Sequence, residues 1–313
     1  MTLTPQPADI ACPVCQARDT ISCGPPAYIR PTRVAGIQID LSDLQLLHRR
    51  CASCGFRFVH PPIPADRLLK CYQLSPAQQY GTVGQDVAAG RRYARKKELL
   101  DQWVGGSRRV VDIGCFDGGF LTFLGEGWDK FGVEPSAAAA AASRERGIQI
   151  IAPTLQAVPQ EFCGSFDAAI ALDVMEHLSD PVTELRLIAR LLKPRGILMI
   201  ETGNTDSPDW ARFGHLHHYC GLVEHVSFFG RNSIEIAAAD AGYTLVHFEA
   251  SQHSDWQPRW RPLYPVYNAA YVVLRKMLSL RLPLSARMRA IAAGPVPRMY
   301  ERSDHFLVVL RRE

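Results

Sequence analysis

The chain has 313 residues, 47% of them hydrophobic and 21% charged, the balance of a soluble globular protein with room for a full α/β core and one small extra unit. No apolar run reaches the roughly 20 residues a membrane span needs, and the opening stretch MTLTPQPADI lacks the basic region and apolar core of a secretory leader, so a cytoplasmic location is expected. The net charge of +4 is uneven: residues 259–302 hold nine Arg or Lys and one acid, Glu301, leaving a mildly acidic remainder that argues against broad contact with a nucleic-acid backbone there.

Four of the nine cysteines form two Cys-x-x-Cys pairs, which in a reducing compartment points to metal rather than disulfides. Cys12-Pro13-Val14-Cys15 and Cys51-Ala52-Ser53-Cys54-Gly55 read as knuckles, each turning two thiolates toward one centre. Together Cys12, Cys15, Cys51 and Cys54 complete a tetrahedral Zn²⁺ shell with no open position, a structural rather than a catalytic metal. A redox pair is the alternative, weakened because neither knuckle lies in a βαβ context. The insert between them is 35 residues long and alternates over Ile29 to Arg50, which predicts a β-hairpin. Residues 1–60 are thus expected to be a zinc-binding domain, with Cys23 and Cys71 as spare thiols.

His60-Pro61-Pro62-Ile63-Pro64 opens a linker. Residues 65–104 read as helical, with Tyr72 and Tyr80 on either side of a Ser-Pro turn and an amphipathic helix over Arg91 to Trp103. Arg109 to Ile113 is a short apolar strand, and the glycine cluster after it is a tight turn opening a helix whose free N–H groups would face a ligand. The next strand, Lys130 to Val133, ends in Glu134, where a nucleotide-binding βαβ unit puts the acid that accepts both ribose hydroxyls. An alanine-rich helix and a short strand, Ile148 to Ile151, follow. Ser165 to Asp173 has the near-continuous apolar centre of a parallel strand. Val182 to Leu192 is an amphipathic helix stopped by Lys193-Pro194-Arg195-Gly196, and Ile197 to Glu201 is the fifth strand.

The spacing Asp-x-Gly-x-x-x-Gly-Gly from Asp112 resembles motif I of class I S-adenosylmethionine (SAM) methyltransferases, with Glu134 as the acid that follows it. Asp173 to Pro181 resembles motif IV of the same family, including its Glu-His pair, and LLKPRGILMIET resembles the next block. The resemblance implies an α/β fold over 105–313, a Rossmann-like doubly wound sheet of the seven-stranded methyltransferase type with its last strand antiparallel. It implies SAM as cofactor, contacted by Asp112, Gly114, Cys115, Phe116, Glu134, Pro135, Asp173 and Val174. Segment 61–104 would be a linker and helical lid, with Tyr80 facing the sulfonium. No acid follows the third strand, so the adenine contacts stay unassigned.

Residues 204–229 are rich in histidine and aromatics: Trp210, His215, His217, His218, Tyr219, Glu224, His225, Phe228 and Phe229. A second metal site and a substrate pocket are both open readings. The pattern Tyr-x-x-x-x-Glu-His-x-Ser-Phe-Phe resembles methyltransferases with an N-terminal zinc-binding domain, among them C-methyltransferases of nucleotide-linked deoxysugars. That resemblance implies Glu224 and His225 as catalytic, with Tyr219 offset. His177, in the motif IV stretch after a strand end, is expected near the reaction centre as a further proton acceptor. The expected activity is O- or C-methylation of a small molecule or sugar/glycan, with an RNA methyltransferase using its zinc module for binding as the alternative. Tyr243 to Glu249 and His305 to Val309 read as a closing antiparallel pair. The basic insertion between them, 251–303, is apolar over Val266 to Leu274 and then carries Arg275, Lys276, Arg281, Arg287 and Arg289. It is expected to lie on an anionic membrane surface, bind an acidic substrate, cap the pocket as a dimer interface, or be a helical lid with a solvated basic face.

Overall fold

The computed structural model describes residues 10–29, 31–75, 87–106, 108–252, 263–296 and 303–313, with backbone only for 87–92. Tyr80 lies outside the described residues.

The N-terminal unit is built on β1 (Thr20–Gly24), the two-residue pair β2 (Arg33–Val34) and β3 (Ile37–Gln38), β4 (Leu47–Cys51) and β5 (Arg57–His60). The hairpin expected over Ile29 to Arg50 is confined to β2 and β3, turned by Ala35 and Gly36 at positive φ. The chain then bends again where Asp40 Oδ1 accepts from Ser42 N–H at 2.9 Å, an Asx turn that ends the alternation. β4 pairs instead with β1 and β5.

Helices α1 (Ala65–Leu74) and α2 (Val87–Trp103) lead to β6 (Arg109–Ile113), α3 (Gly119–Phe123), β7 (Asp129–Val133), α4 (Ala137–Glu145), β8 (Gln149–Ala152) and β9 (Phe166–Leu172). Then come α5 (Pro181–Leu191) and β10 (Leu192–Gly203). Local chemistry sets these boundaries. The Ser136 hydroxyl caps α4 by accepting from Ala139 N–H, and Asp180 caps α5 with Pro181 in its first turn. β10 starts five residues earlier than the predicted Ile197, because Leu192 already pairs with Phe166, and an irregularity in the ladder with Arg195 at φ 65° separates it from Ile197.

After β10 come α6 (Pro208–Phe213), β11 (Ser227–Phe228), α7 (Arg231–Asp240), β12 (Tyr243–Ser251), α8 (Tyr264–Ser279), α9 (Ala286–Ala293) and β13 (His305–Arg312). The main sheet has seven strands in the order β12-β13-β10-β9-β6-β7-β8. β13 runs antiparallel to both neighbours, and β10, β9, β6, β7 and β8 are mutually parallel. The central strands bury Val110, Val111 and Ala168 to Ala171 completely, the two-sided burial that a helix-covered parallel sheet demands.

β11 is not part of that sheet. It adds a fourth strand to the N-terminal one, with Ser227 opposite Phe58 and Phe228 opposite Arg57. Phe56 meets Phe229 with ring centroids 4.9 Å apart, so the N-terminal unit and the loop after β10 share one core. On the other flank Lys96 of α2 pairs with Glu201 of β10 at 2.9 Å, both side chains almost fully buried.

Candidate active site

Parallel strands deliver their C-terminal ends to one edge, and the expected cofactor residues gather there. Gly114 has φ +70° and is exposed at the head of the bend after β6. A Cβ at Gly114 would sit 2.9 Å from Val174 Cγ2, so glycine is what lets the bend and the end of β9 approach each other. Glu134, 7% exposed, turns its carboxylate to the same bend. It accepts from Phe116 N–H at 2.9 Å and from Ser136 N–H at 2.8 Å. Burial raises its pKa, and those two N–H groups partly offset the rise. Asp112, within β6, is pushed up by burial and then by Glu134. Cys115 packs behind the bend, against the space above Gly132 that a Cβ would fill. Pro135 carries the chain from Glu134 into the cap of α4, and Asp173 closes β9 at φ 54°.

The expectation of free N–H groups at the opening of α3 is corrected in part: Glu134 holds the Phe116 N–H of the bend, and Asp117 Oδ1 accepts from Gly119 N–H at 3.0 Å. Gly114 N–H donates to Val133 O at 2.8 Å. The bend therefore offers a bare glycine surface and a fixed carboxylate more than an anion nest.

Beside the bend lies a cavity of about 730 Å³, within the range of small-molecule sites. Asp173, Glu176, His177, Tyr219, His225 and His305 form its polar side, and Tyr28, Leu222, Ala290, Ile291 and Pro295 are among its other walls. It thus draws on the strand ends, the loop after β10, the N-terminal unit and α9. Because Asp173 lines the cavity and its neighbour Val174 touches Gly114, the cavity adjoins the expected cofactor position.

His225 is held in one tautomer: its Nδ1 donates to Tyr219 O at 2.9 Å, since a carbonyl can only accept, and its Nε2 keeps the lone pair. His177 Nδ1 lies 3.1 Å from Glu224 O. His225 is 6% exposed, and burial drives its pKa well below the usual histidine value, with His177 adding to the shift. It stays neutral and able to take a proton. Tyr219 donates its hydroxyl to Glu176, while Gly203 N–H donates to that hydroxyl at 3.2 Å. Burial and then Glu176 push the Tyr219 pKa well up, so its phenol stays protonated. Gly203 makes the arrangement fit, because a Cβ there would lie 2.4 Å from the Tyr219 ring.

Glu224 contributes its backbone carbonyl to His177. Its carboxyl is not among the cavity's lining groups and has its pKa raised by burial. The acid that lines the cavity beside Asp173 is Glu176, which sequence reasoning left without a role although it stands next to His177. Glu176, His177 and His225 offer ligand atoms within 4.8 Å of one another. A tyrosine reaches the site from α1: Tyr72 Oη lies 3.0 Å from His177 Nδ1. Of the other clustered histidines, His217 is buried, stacked on Trp210 with centroids 4.8 Å apart, and accepts from Tyr219 N–H, a packing role. His218 lines the cavity, whereas His215 packs near His48.

The four knuckle cysteines also come together. Cys12 Sγ lies 3.6 Å from Cys54 Sγ and Cys15 Sγ 3.5 Å from Cys51 Sγ, all four sulfurs within 4.8 Å of one another. Tetrahedral Zn–S bonds of about 2.3 Å require sulfur pairs roughly 3.8 Å apart, so the donor set fits the ion. Contact between the two thiols lowers the Cys12 pKa and raises that of Cys54, so the pair shares one proton and holds one thiolate.

The sheet order with its one reversed strand, and the acid fixed beside an open glycine bend, define a class I SAM-dependent methyltransferase fold. A methyltransferase-domain family matches residues 86–248, and the chain belongs to that family. The ubiquinone biosynthesis O-methyltransferase of Escherichia coli O127:H6 is 30% identical over 111 residues, covering 33% of this chain and 46% of that protein. The protein of the same name from Xanthomonas axonopodis pv. citri is 35% identical over 107 residues, covering 31% and 43%. The chain therefore spans less than half the length of these relatives. A SAM-dependent methyltransferase structure from Thermotoga maritima is 19% identical with a TM-score of 0.46, over 72% of this chain and 91% of that one.

Proposed function

We propose that the protein methylates a hydroxyl or an enolisable carbon of a small organic acceptor, a phenol, enediol or sugar derivative, bound in the 730 Å³ cavity. One observation carries the reading: a neutral, tautomer-fixed His225 lines a cavity that abuts the glycine bend through Asp173 and Val174. SAM would supply an electrophilic methyl on sulfur, its ribose hydroxyls held by Glu134. The acceptor proton passes to His225 Nε2. Tyr219, held protonated on Glu176, orients the acceptor, and His177 stands as the second acceptor of protons. The relatives carry the name O-methyltransferase, which favours oxygen over carbon. A cavity of about 730 Å³ is the size of a small-molecule site, which favours that acceptor over an RNA strand, while a sugar C-methyltransferase remains the finer form of the same reading. The cysteine cluster is read as a structural zinc site that anchors the N-terminal unit forming part of the cavity wall.

Glu176, His177 and His225 favour a second reading, in which a divalent cation polarises the acceptor oxygen. Metal analysis before and after chelation separates the two, because zinc on four cysteines persists in Glu176→Gln and a cation on this trio does not.

The test is a screen of phenols, nucleotide-sugars and lipid-linked glycans with isotopically labelled SAM, reading the added methyl by mass. His225→Asn should lose about a hundredfold or more in kcat and retain SAM binding. Full turnover by that variant overturns the assignment.

A further inference from the structure

Helix α8 faces the wrong way for a helix that only packs on its own protein. Three hydrogen-bonding side chains turn inward: Asn268 and Tyr271 are buried, the Tyr271 hydroxyl donates to Gly294 O at 2.9 Å, and Arg275 donates to Ala292 O at 3.1 Å. Its apolar residues turn outward. Val266 is 63% exposed, Val273 57% and Leu280, at the cap, 58%. With Ala270 and Met277 they repeat at intervals of four and three, one continuous stripe along the helix. Tyr267 and Val272 flank it, and Met288 and Ile291 of α9 are exposed as well.

The same hairpin is strongly basic. Residues 263–296 contain Arg275, Lys276, Arg281, Arg287 and Arg289 and no acid. An exposed apolar stripe beside unopposed cations matches one surface chemistry, an interfacial helix on an anionic bilayer. A twofold pairing of copies through this face would set like charges against each other. No described helix is long and apolar enough to cross a membrane, so the helix would lie flat in the interface.

We propose that the α8–α9 hairpin docks the enzyme on anionic lipid, with the apolar stripe entering the acyl boundary and the arginines meeting headgroup phosphates. Ile291 joins this surface to the site, because it is exposed and also lines the cavity. The cavity mouth then opens at the membrane, which suits an acceptor carrying a lipid tail. Only that last link rests on the proposed acceptor site.

Co-sedimentation of the full chain with phosphatidylcholine vesicles, with and without phosphatidylglycerol, is the test. Binding should require the anionic lipid and weaken as salt is raised. Val273→Glu with Leu280→Glu should abolish it, while the thermal shift with SAM stays as in the wild type and certifies the fold. Arg281→Ala, Arg287→Ala and Arg289→Ala together should weaken it about a hundredfold. Absence of vesicle binding overturns the proposal. So does a dimer in gel filtration that Val273→Glu dissociates, or sedimentation unchanged in the glutamate variant. Loss of methyl transfer with vesicle binding intact would count against the acceptor site alone.

Discussion

The rings of His177 and His225 meet edge to face, with centroids 4.9 Å apart and planes at 77°, at the polar side of the cavity. The two histidines come from segments 48 positions apart in the sequence, and each has its Nδ1 beside a backbone carbonyl of the loop after β10. Burial opposes the charge on His225, and the neighbouring His177 opposes it further.

The first prediction follows from that shift. The His225 pKa lies below 6.5 in the folded enzyme, so the base stays unprotonated well under that pH. The acid limb of the kcat profile should fall below pH 6.5. A limb at or above 6.5 that persists in His177→Asn would remove His225 as the base.

The second concerns Gly203. Alanine there would put a Cβ into the Tyr219 ring and pull the hydroxyl away from Glu176. Gly203→Ala should lower kcat/KM by about tenfold or more and leave SAM affinity unchanged. Gly203→Ala with Tyr219→Ala should be no worse than Tyr219→Ala alone, because the ring that the Cβ meets is gone.

Lys96 and Glu201 form a buried ion pair with almost no solvent contact. Removing one partner strands the other charge, so Lys96→Met should cost about 3–5 kcal/mol of stability. Lys96→Met with Glu201→Leu should recover most of it. Denaturant midpoints of the single and double variants measure the difference.

Acid stability tests the N-terminal packing. His48 is buried and its pKa is lowered to about 3, first by desolvation and then by His215. An unfolded chain takes up this proton near pH 6.5 and the folded one does not until about 3, so stability falls as pH drops through that window. The slope from His48 alone is about 1.4 kcal/mol per pH unit. His48→Gln should flatten the pH dependence of the urea midpoint by that amount.

The strands were legible where they are buried on both faces. Val110 to Ile113 and Phe166 to Leu172 announce themselves by apolar runs, each broken by one aspartate, Asp112 and Asp167, and the glycine bend and Glu134 follow by spacing. What was not legible depends on long-range pairing. Nothing local marks Ser227–Phe228 as a strand, because it exists only by pairing with Arg57–Phe58. Glu176 reads as half of a Glu-His pair, and only the return of the chain at Tyr219 and Thr202 shows a buried carboxylate with two hydroxyl donors. The outward stripe of α8 was visible as an apolar run, but its orientation needed the hydrogen bonds of Tyr271 and Arg275.

Calorimetric titration of SAM into the wild type and Glu134→Ala tests the central claim most directly. The account predicts one-to-one binding by the wild type and at least about a tenfold loss in the variant, the worth of a carboxylate's hydrogen bonds to two hydroxyls. No binding by the wild type, or equal affinity in both proteins, would contradict it.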